Sequence, residues 1–216
     1  MADIKAYRPE SSSVGSGQVL QRPYDHAGGR LIVQEMTDLL VLDLVDKGLV
    51  TNQMVLTVGY DIDNLADPGR RSRYTGAVVT DHYGRKIPKH AHGTANLSKF
   101  NSSTSIITEA VMELFDRIVD ENLLVRRVNI VACNILPEAM VREETNFDQM
   151  DLFTDFEAEQ KRKEAETTAL QREKRRQKAL LHIKKRYGKN AIFKGMNLEE
   201  GATAMDRNRQ IGGHRA

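Results

Sequence analysis

The stretch AHGTANLSKFNSSTSIITEAVMELFDRIV, residues 91–119, decides the fold. Ala91–Lys99 reads as a strand in which the alternate residues His92, Thr94, Asn96 and Ser98 are all polar. A strand repeats every second residue, so these four share one side of a sheet, and that side meets water. Ser102 and Ser103 then stand ready as N-cap residues. Thr104–Val119 is the helix they open, because Ile107, Val111, Leu114 and Ile118 recur at i, i+4, i+7 and i+11. That spacing makes one continuous core stripe.

The rest of the N-terminal part repeats the two patterns. Residues 26–47 predict a helix through Val33, Met36, Leu40 and Leu44, stopped by Gly48. Ile32, Leu39, Val41 and Leu42 make its middle apolar on nearly every side, so it is covered on more than one face or meets another surface. Strands are expected at Thr51–Tyr60, at Leu124–Cys133 and, shorter, near Gly17–Gln21. Residues 61–89 are a long connection with Pro68-Gly69, Arg70, Arg71 and Arg73, and with a small hairpin around Tyr74–Gly84. The order strand, helix, strand, strand, helix, strand predicts an α+β domain. It is a four-stranded, mostly antiparallel sheet with both helices on one face. The uncovered face is expected to carry Gln18, Thr57, His92, Thr94, Asn96, Ser98, Arg127 and Asn129.

Composition bounds the class. The chain has 216 residues, 40% of them hydrophobic, below the roughly 45–50% of an average globular chain. The longest apolar run, Leu39–Val45, is interrupted by Asp43, so no segment approaches the ~20 apolar residues of a membrane helix. Met1-Ala-Asp-Ile-Lys5 lacks the apolar core of a secretion signal. The single cysteine, Cys133, excludes an internal disulfide framework. A cytoplasmic location is the expectation.

The formal charge of +2 hides a division. Residues 161–186 hold eleven Lys and Arg against three acids, while residues 1–160 sum to −8. Seven acids crowd residues 143–159. An acidic connector thus leads into a basic arm, which attracts polyanions. Residues 155–187 look helical but polar nearly all round; only Leu170, Leu180, Leu181 and Ile183 are available to pack, so the helix depends on a partner. Residues 188–216 read as a flexible tail.

Chemistry has few places to reside. Asp61-Ile-Asp63 has the spacing of a metal-binding carboxylate pair, and His90-Ala-His92 puts two imidazoles on one strand face. Neither has an evident full ligand set, and the alternatives are a polar strand exit and surface histidines. No P-loop, dinucleotide fingerprint or nucleophile triad is present. Catalytic and metal residues are therefore expected to be none. Arg70, Arg71, Arg73, Arg126 and Arg127 flank or lie on the sheet among small polar residues, a combination that suits phosphate backbone binding without base readout. An ordinary solvated face is the alternative. Gln149-Met-Asp-Leu-Phe153 follows the folded unit within the acidic stretch. Its Leu152-Phe153 pair suits docking in a pocket, with Gln149 fixing orientation; otherwise it is the start of the next helix.

These residues bear a family resemblance. Gln149-Met150-Asp151-Leu152-Phe153 resembles the bacterial sliding-clamp binding pentapeptide, with Met150 in place of the usual Leu. Ser11–Leu20, Tyr83–Gly93 and Leu123–Ile130 resemble the C-terminal "little finger" domain of Y-family translesion DNA polymerases, of the ImpB/MucB/SamB type found in Gram-positive bacteria and their mobile elements. Arg186–Gly195 and Ile211–His214 are similar to the tail of that group.

The resemblance implies DNA repair by damage bypass in the SOS response, with the open sheet face tracking the backbones of a template-primer duplex. By position it makes Ser13, Gly15 and Gln18 phosphate contacts, with Thr94, Asn96, Ser98, Arg126 and Arg127 on the later strands. It divides the chain into a linker from a thumb domain (1–16), the little finger (17–137), an acidic linker with the clamp motif (138–154), a basic helix (155–187) and the tail (188–216). The chain begins close to where a thumb would end, so a C-terminal fragment inactive by itself is expected. No cofactor is expected in it, because Mg2+ belongs to the palm carboxylates of the whole polymerase. The implied partners are DNA, the sliding clamp and the remaining polymerase domains, with no membrane. Two other classes compete: a clamp-binding protein that competes with intact polymerases, and a small-molecule-binding α+β regulator.

Overall fold

Strand alternation and helical periodicity build the same unit in the computed structural model, which describes residues 13–141, 156–211, 214 and 215. The first strand, β1, runs Val14–Tyr24 and leads into helix α1, His26–Asp46. Asp25 caps α1 by accepting the Gly28 N–H at 2.8 Å. Strand β2, Leu49–Tyr60, follows. The connection after it carries two short helices, α2 (Asp63–Ala66) and α3 (Pro68–Arg73), and a small hairpin of β3 (Val78–Thr80) and β4 (Lys86–Pro88). Strand β5, Ala91–Asn101, helix α4, Thr104–Ile118, and strand β6, Val125–Cys133, complete the unit. Ser103 caps α4 through the Ile106 N–H. A two-residue strand β7, Leu136–Pro137, pairs with the start of β2.

The sheet order is β1-β6-β2-β5, with every pairing antiparallel. Helices α1 and α4 lie on one face, and the core fills the space between. Leu20, Met54, Leu56, Val58, Val128 and Ile130 point up from the sheet. Ile32, Val33, Met36, Val41 and Leu44 of α1 meet them, with Ile107, Val111, Leu114 and Phe115 of α4. At Gly93 α4 packs directly on the sheet: a Cβ there would stand 2.8 Å from Leu114 Cδ1.

The C-terminal third differs from the expectation of a free arm and tail. Helix α5, Phe156–Tyr187, docks through its second half. Gln177, 4% exposed, donates to Ser102 O at 2.9 Å and Thr104 Oγ1 at 2.8 Å. Glu173 accepts the Ser105 N–H at 2.9 Å and the Ser103 hydroxyl at 2.6 Å, at the positive end of α4. Lys185 pairs with Asp46 and Lys174 with Glu138. The chain then turns back over α1. Leu180, Ile192, Phe193 and Ala204 line a seam with Leu39 and Leu42 of α1. A final helical turn, α6 (Ala204–Arg207), and the minimal hairpin β8 (Gln210–Ile211) and β9 (His214–Arg215) end the chain.

This resolves the apolar circumference of α1. Its inner side meets the sheet, and its outer side meets the chain's own residues 180–204 rather than another domain. The partner on which the polar helix depends is likewise the domain itself. Two boundaries also move. The sheet begins at Val14, inside the stretch read as a linker, and residues 190–209 are held on α1 by Lys194, Asn197 and Thr203 where a flexible tail was expected.

Candidate nucleic-acid interface

The open side of the sheet is built by register. Gly17, Asn129, Thr57 and His92 form one row across the four strands, and Gly15, Val131, Val55 and Thr94 form the next. Cys133, Gln53 and Asn96 lie beyond, while Val19, Arg127 and Gly59 lie on the other side. Two cross-strand hydrogen bonds fix the polar side chains. Gln53 Nε2 donates to Asn96 Oδ1 at 2.9 Å, and Thr57 Oγ1 and His92 Nδ1 are 2.9 Å apart.

The relief of this face is low along β1. A Cβ on Gly15 would stand 3.2 Å from Val131 Cγ2, and one on Gly17 would stand 3.2 Å from Asn129 Oδ1. Absence of side chains there leaves a shallow groove against the neighbouring strand, where another backbone can approach closely. No carboxylate occupies any of these rows, although the chain has 30 Asp and Glu. Arg127 and His92 are the basic groups on it, and both are exposed.

The residues expected at the interface divide into groups. Ser13, Gly15, Thr94, Asn96, Ser98 and Arg127 are exposed with the open-face parity. Gln18 is not among them. It pairs with the core residue Val128 and shares the side of Leu20, facing Thr203 of the C-terminal segment. The expected open-face position of Gln18 is thus corrected. The sequence Gln18-Val19-Leu20 offers two adjacent apolar residues, and packing selects Leu20 for the core while Val19 stays 67% exposed. Arg126 also departs from the open face. The register between β6 and both neighbours shifts around it. Its Nε lies 3.5 Å from Asp61 Oδ2, and its Nη1 donates to Gln21 O at 3.2 Å. It offsets a carboxylate that is 5% exposed. Arg70, Arg71 and Arg73 sit on α3, exposed beyond the end of the sheet, where Arg70 reaches Asn122 O at 3.4 Å. Gln149, Met150, Asp151, Leu152 and Phe153 lie outside the described residues.

Other titratable groups serve local structure. At the hairpin tip, Arg85 donates to Asp81 at 2.7 Å and holds its carboxyl below the usual range. Burial pushes the Tyr60 hydroxyl up. His90 and His92 have ring centroids 6.4 Å apart. Among the described residues, no group of three His, Cys, Asp or Glu converges to hold a metal ion. Asp61 is instead engaged by Arg126 and the Asp63 N–H, the latter at 2.9 Å. Among the described residues, no helix is long and apolar enough to cross a membrane.

The model of the impB/mucB/samB family C-terminal domain matches residues 11–152, from just before β1 to beyond β7. The chain belongs to this family. It thus carries the C-terminal domain of a Y-family translesion polymerase, in the context of DNA repair. No curated protein matches the chain. The matched region contains the whole sheet, α1 and α4, and stops before α5.

Sequence reasoning missed Gln53, Val55, Gly59 and Val131 as parts of the open face. Strict alternation through Met54, Leu56, Val58 and Tyr60 was the available signal, since it assigns the intervening residues to the other side. The tail contact was also missed. Its signal was Glu35 and Asp38 within an apolar helix, because buried carboxylates require donors from elsewhere.

Proposed function

We propose that the domain grips the backbone of a template-primer duplex on the open face of its sheet and tethers it to the sliding clamp through Gln149–Phe153. The observation that carries the reading is the carboxylate-free face with its glycine groove along β1 and Arg127 beside it. Phosphate repels carboxylates and needs close approach to small residues and cations. Hydrogen-bonding side chains such as Thr94, Asn96 and Asn129 then position a backbone without reading bases. Binding is therefore nearly sequence-independent and falls steeply with salt. A weak duplex contact and a clamp peptide on one chain reinforce each other through effective concentration. In this reading the domain performs no chemistry, and Mg2+ is held by palm carboxylates of the polymerase.

The test is fluorescence anisotropy with a labelled primer-template duplex at low and moderate salt, with and without clamp. Salt-sensitive binding strengthened by clamp supports the proposal. Loss of the clamp effect in Gln149→Ala with Phe153→Ala supports the tether. Clamp binding without duplex binding at low salt would replace the grip with a competitor of intact polymerases.

A further inference from the structure

The cations of α5 divide by type and direction. Lys174 pairs with Glu138, Lys185 with Asp46, and Lys184 donates to Lys189 O at 3.0 Å, so these three lysines are engaged with the body and the returning chain. Arg176 lines the cleft with Asp38 and Leu42, whereas the other three arginines of the docked half face away. At about 100° per residue, Leu170, Glu173, Gln177, Leu180 and Lys184 share the docked side. Arg172, Arg175 and Arg186 then fall together on the opposite side, and all three are exposed. Between Arg172 and Tyr187 the helix has one acid, Glu173, which is engaged by Ser103 and Ser105. Among the described residues, Arg172 and Arg175 meet no carboxylate, and Arg186 lies over its neighbour Tyr187 at 5.3 Å.

We propose that this arginine row is a second contact for nucleic-acid backbone, separate from the sheet face. The packing of α5 sets the row apart from the open face. The open face lies on one side of the sheet and α1 and α4 lie on the other; α5 crosses from the sheet end at Val50 and Phe100 onto α1 and the start of α4. The row lies on the side of α5 turned away from α1 and α4, so in this proposal its occupant is a different stretch of nucleic acid from the one on the open face. The row extends about 21 Å along the helix axis. A duplex presents one phosphate per about 1.7 Å of axis, so several phosphates lie within reach. Guanidinium groups suit this ligand because their planar forks bind phosphate in bidentate fashion. Between Arg172 and Arg186 the outward side carries no large apolar residue to anchor a protein partner. Leu180, Leu181 and Ile183 are partly buried, which leaves no apolar face for a membrane surface. Charge without apolar anchors favours a phosphodiester chain.

The experiment uses the full chain with a labelled duplex, titrated over a range of salt. The variant Arg172→Gln, Arg175→Gln, Arg186→Gln is compared with Arg127→Ala and with the parent. The expected result is a salt slope lower by about 2–3 in the triple variant, with at least about tenfold weaker binding at low salt. The losses should add to that of Arg127→Ala, and a second duplex bound by the parent at excess DNA should be lost in either variant. The triple lysine variant, which keeps the charge, should keep most of the slope. An unchanged slope in the folded glutamine variant, or in the single variants Arg172→Gln and Arg175→Gln used if the triple variant unfolds, overturns the proposal. Loss of binding to phosphatidylserine vesicles with duplex binding intact also overturns it. Loss on Arg127→Ala alone would leave the sheet-face reading standing and remove this one.

Discussion

The carboxylate of Glu35, 1% exposed in the middle of α1, accepts the backbone N–H of Thr203 at 2.8 Å across 168 residues of chain. Asn197 Nδ2 donates to the same carboxylate at 2.8 Å, and the Ala204 N–H does so at 3.2 Å. One helix inside the family domain thus holds the start of α6 beyond it. Arg207, on that turn, reaches Ser16 of β1, and burial lowers its pKa while Glu35 counters the shift. Lys194 adds a pair with Asp38 one turn along α1. The C-terminal segment is therefore joined to the fold through buried polar groups, which fix one geometry more strictly than apolar contact does.

Removing the acceptor should release that segment first. Glu35→Ala leaves two backbone N–H groups and an amide without their partner, which costs about 1–3 kcal/mol. Urea unfolding should show the loss, and limited trypsin digestion should cut at Lys189, Lys194 or Arg207 before the sheet domain. Equal protease resistance in parent and variant would show that Glu35 does not hold the segment.

A second expectation concerns packing between α4 and the sheet. Gly93→Ala introduces a methyl 2.8 Å from Leu114 Cδ1 and 3.2 Å from Ile118 Cγ2. Crowding of a filled core typically costs about 1–3 kcal/mol. The compensating change Leu114→Ala should recover part of it in the double variant, read as a non-additive melting shift.

The sheet and its two helices were legible in sequence because each carries a period that only one structure satisfies. Ile107, Val111, Leu114 and Ile118 admit only a helix packed on one side, and His92–Ser98 admit only a half-open strand. The open face was legible in outline for the same reason. Gln18 was misplaced because β1 has almost no alternating apolar residues, so its parity is set by packing rather than pattern. Arg126 was misplaced because an irregular register displaces one residue, and residue types do not reveal that. The docking of residues 190–209 was hidden more deeply. It rests on single long-range contacts with α1 from Lys194, Asn197 and Thr203, which leave no periodic trace.

The corrected face makes a paired prediction. Arg127→Ala should lower the salt slope of duplex binding by about 1, since one phosphate contact is lost. Its stability should stay within about 0.5 kcal/mol, because the side chain is exposed. Gln18→Ala should leave duplex binding unchanged and instead loosen the contact with Thr203. Anisotropy on both variants checks this; a binding defect in Gln18→Ala equal to that in Arg127→Ala would restore the original face assignment.

Two charged groups predict how stability follows pH, with opposite ends of the scale involved. Arg30 donates to Asp116 at 2.8 Å and 3.1 Å and holds that carboxyl below its ordinary value. The folded state keeps Asp116 ionised at lower pH than the unfolded chain does. The stabilisation is therefore complete above about pH 3.9 and is lost as pH falls through the folded value. Both side chains are more than a third exposed, so the contribution is below about 1 kcal/mol. Lys184 behaves in reverse: burial lowers its pKa, against the attraction of Asp38. Between its folded value and about 10.4, the unfolded chain binds the extra proton, so stability gains from this group as pH rises. Melting temperatures of Asp116→Asn should lie below the parent near neutrality and converge with it in acid. Those of Lys184→Met should compare best with the parent near neutrality and lose ground above the folded value. Parallel curves for either variant would show that its charge does not couple to folding.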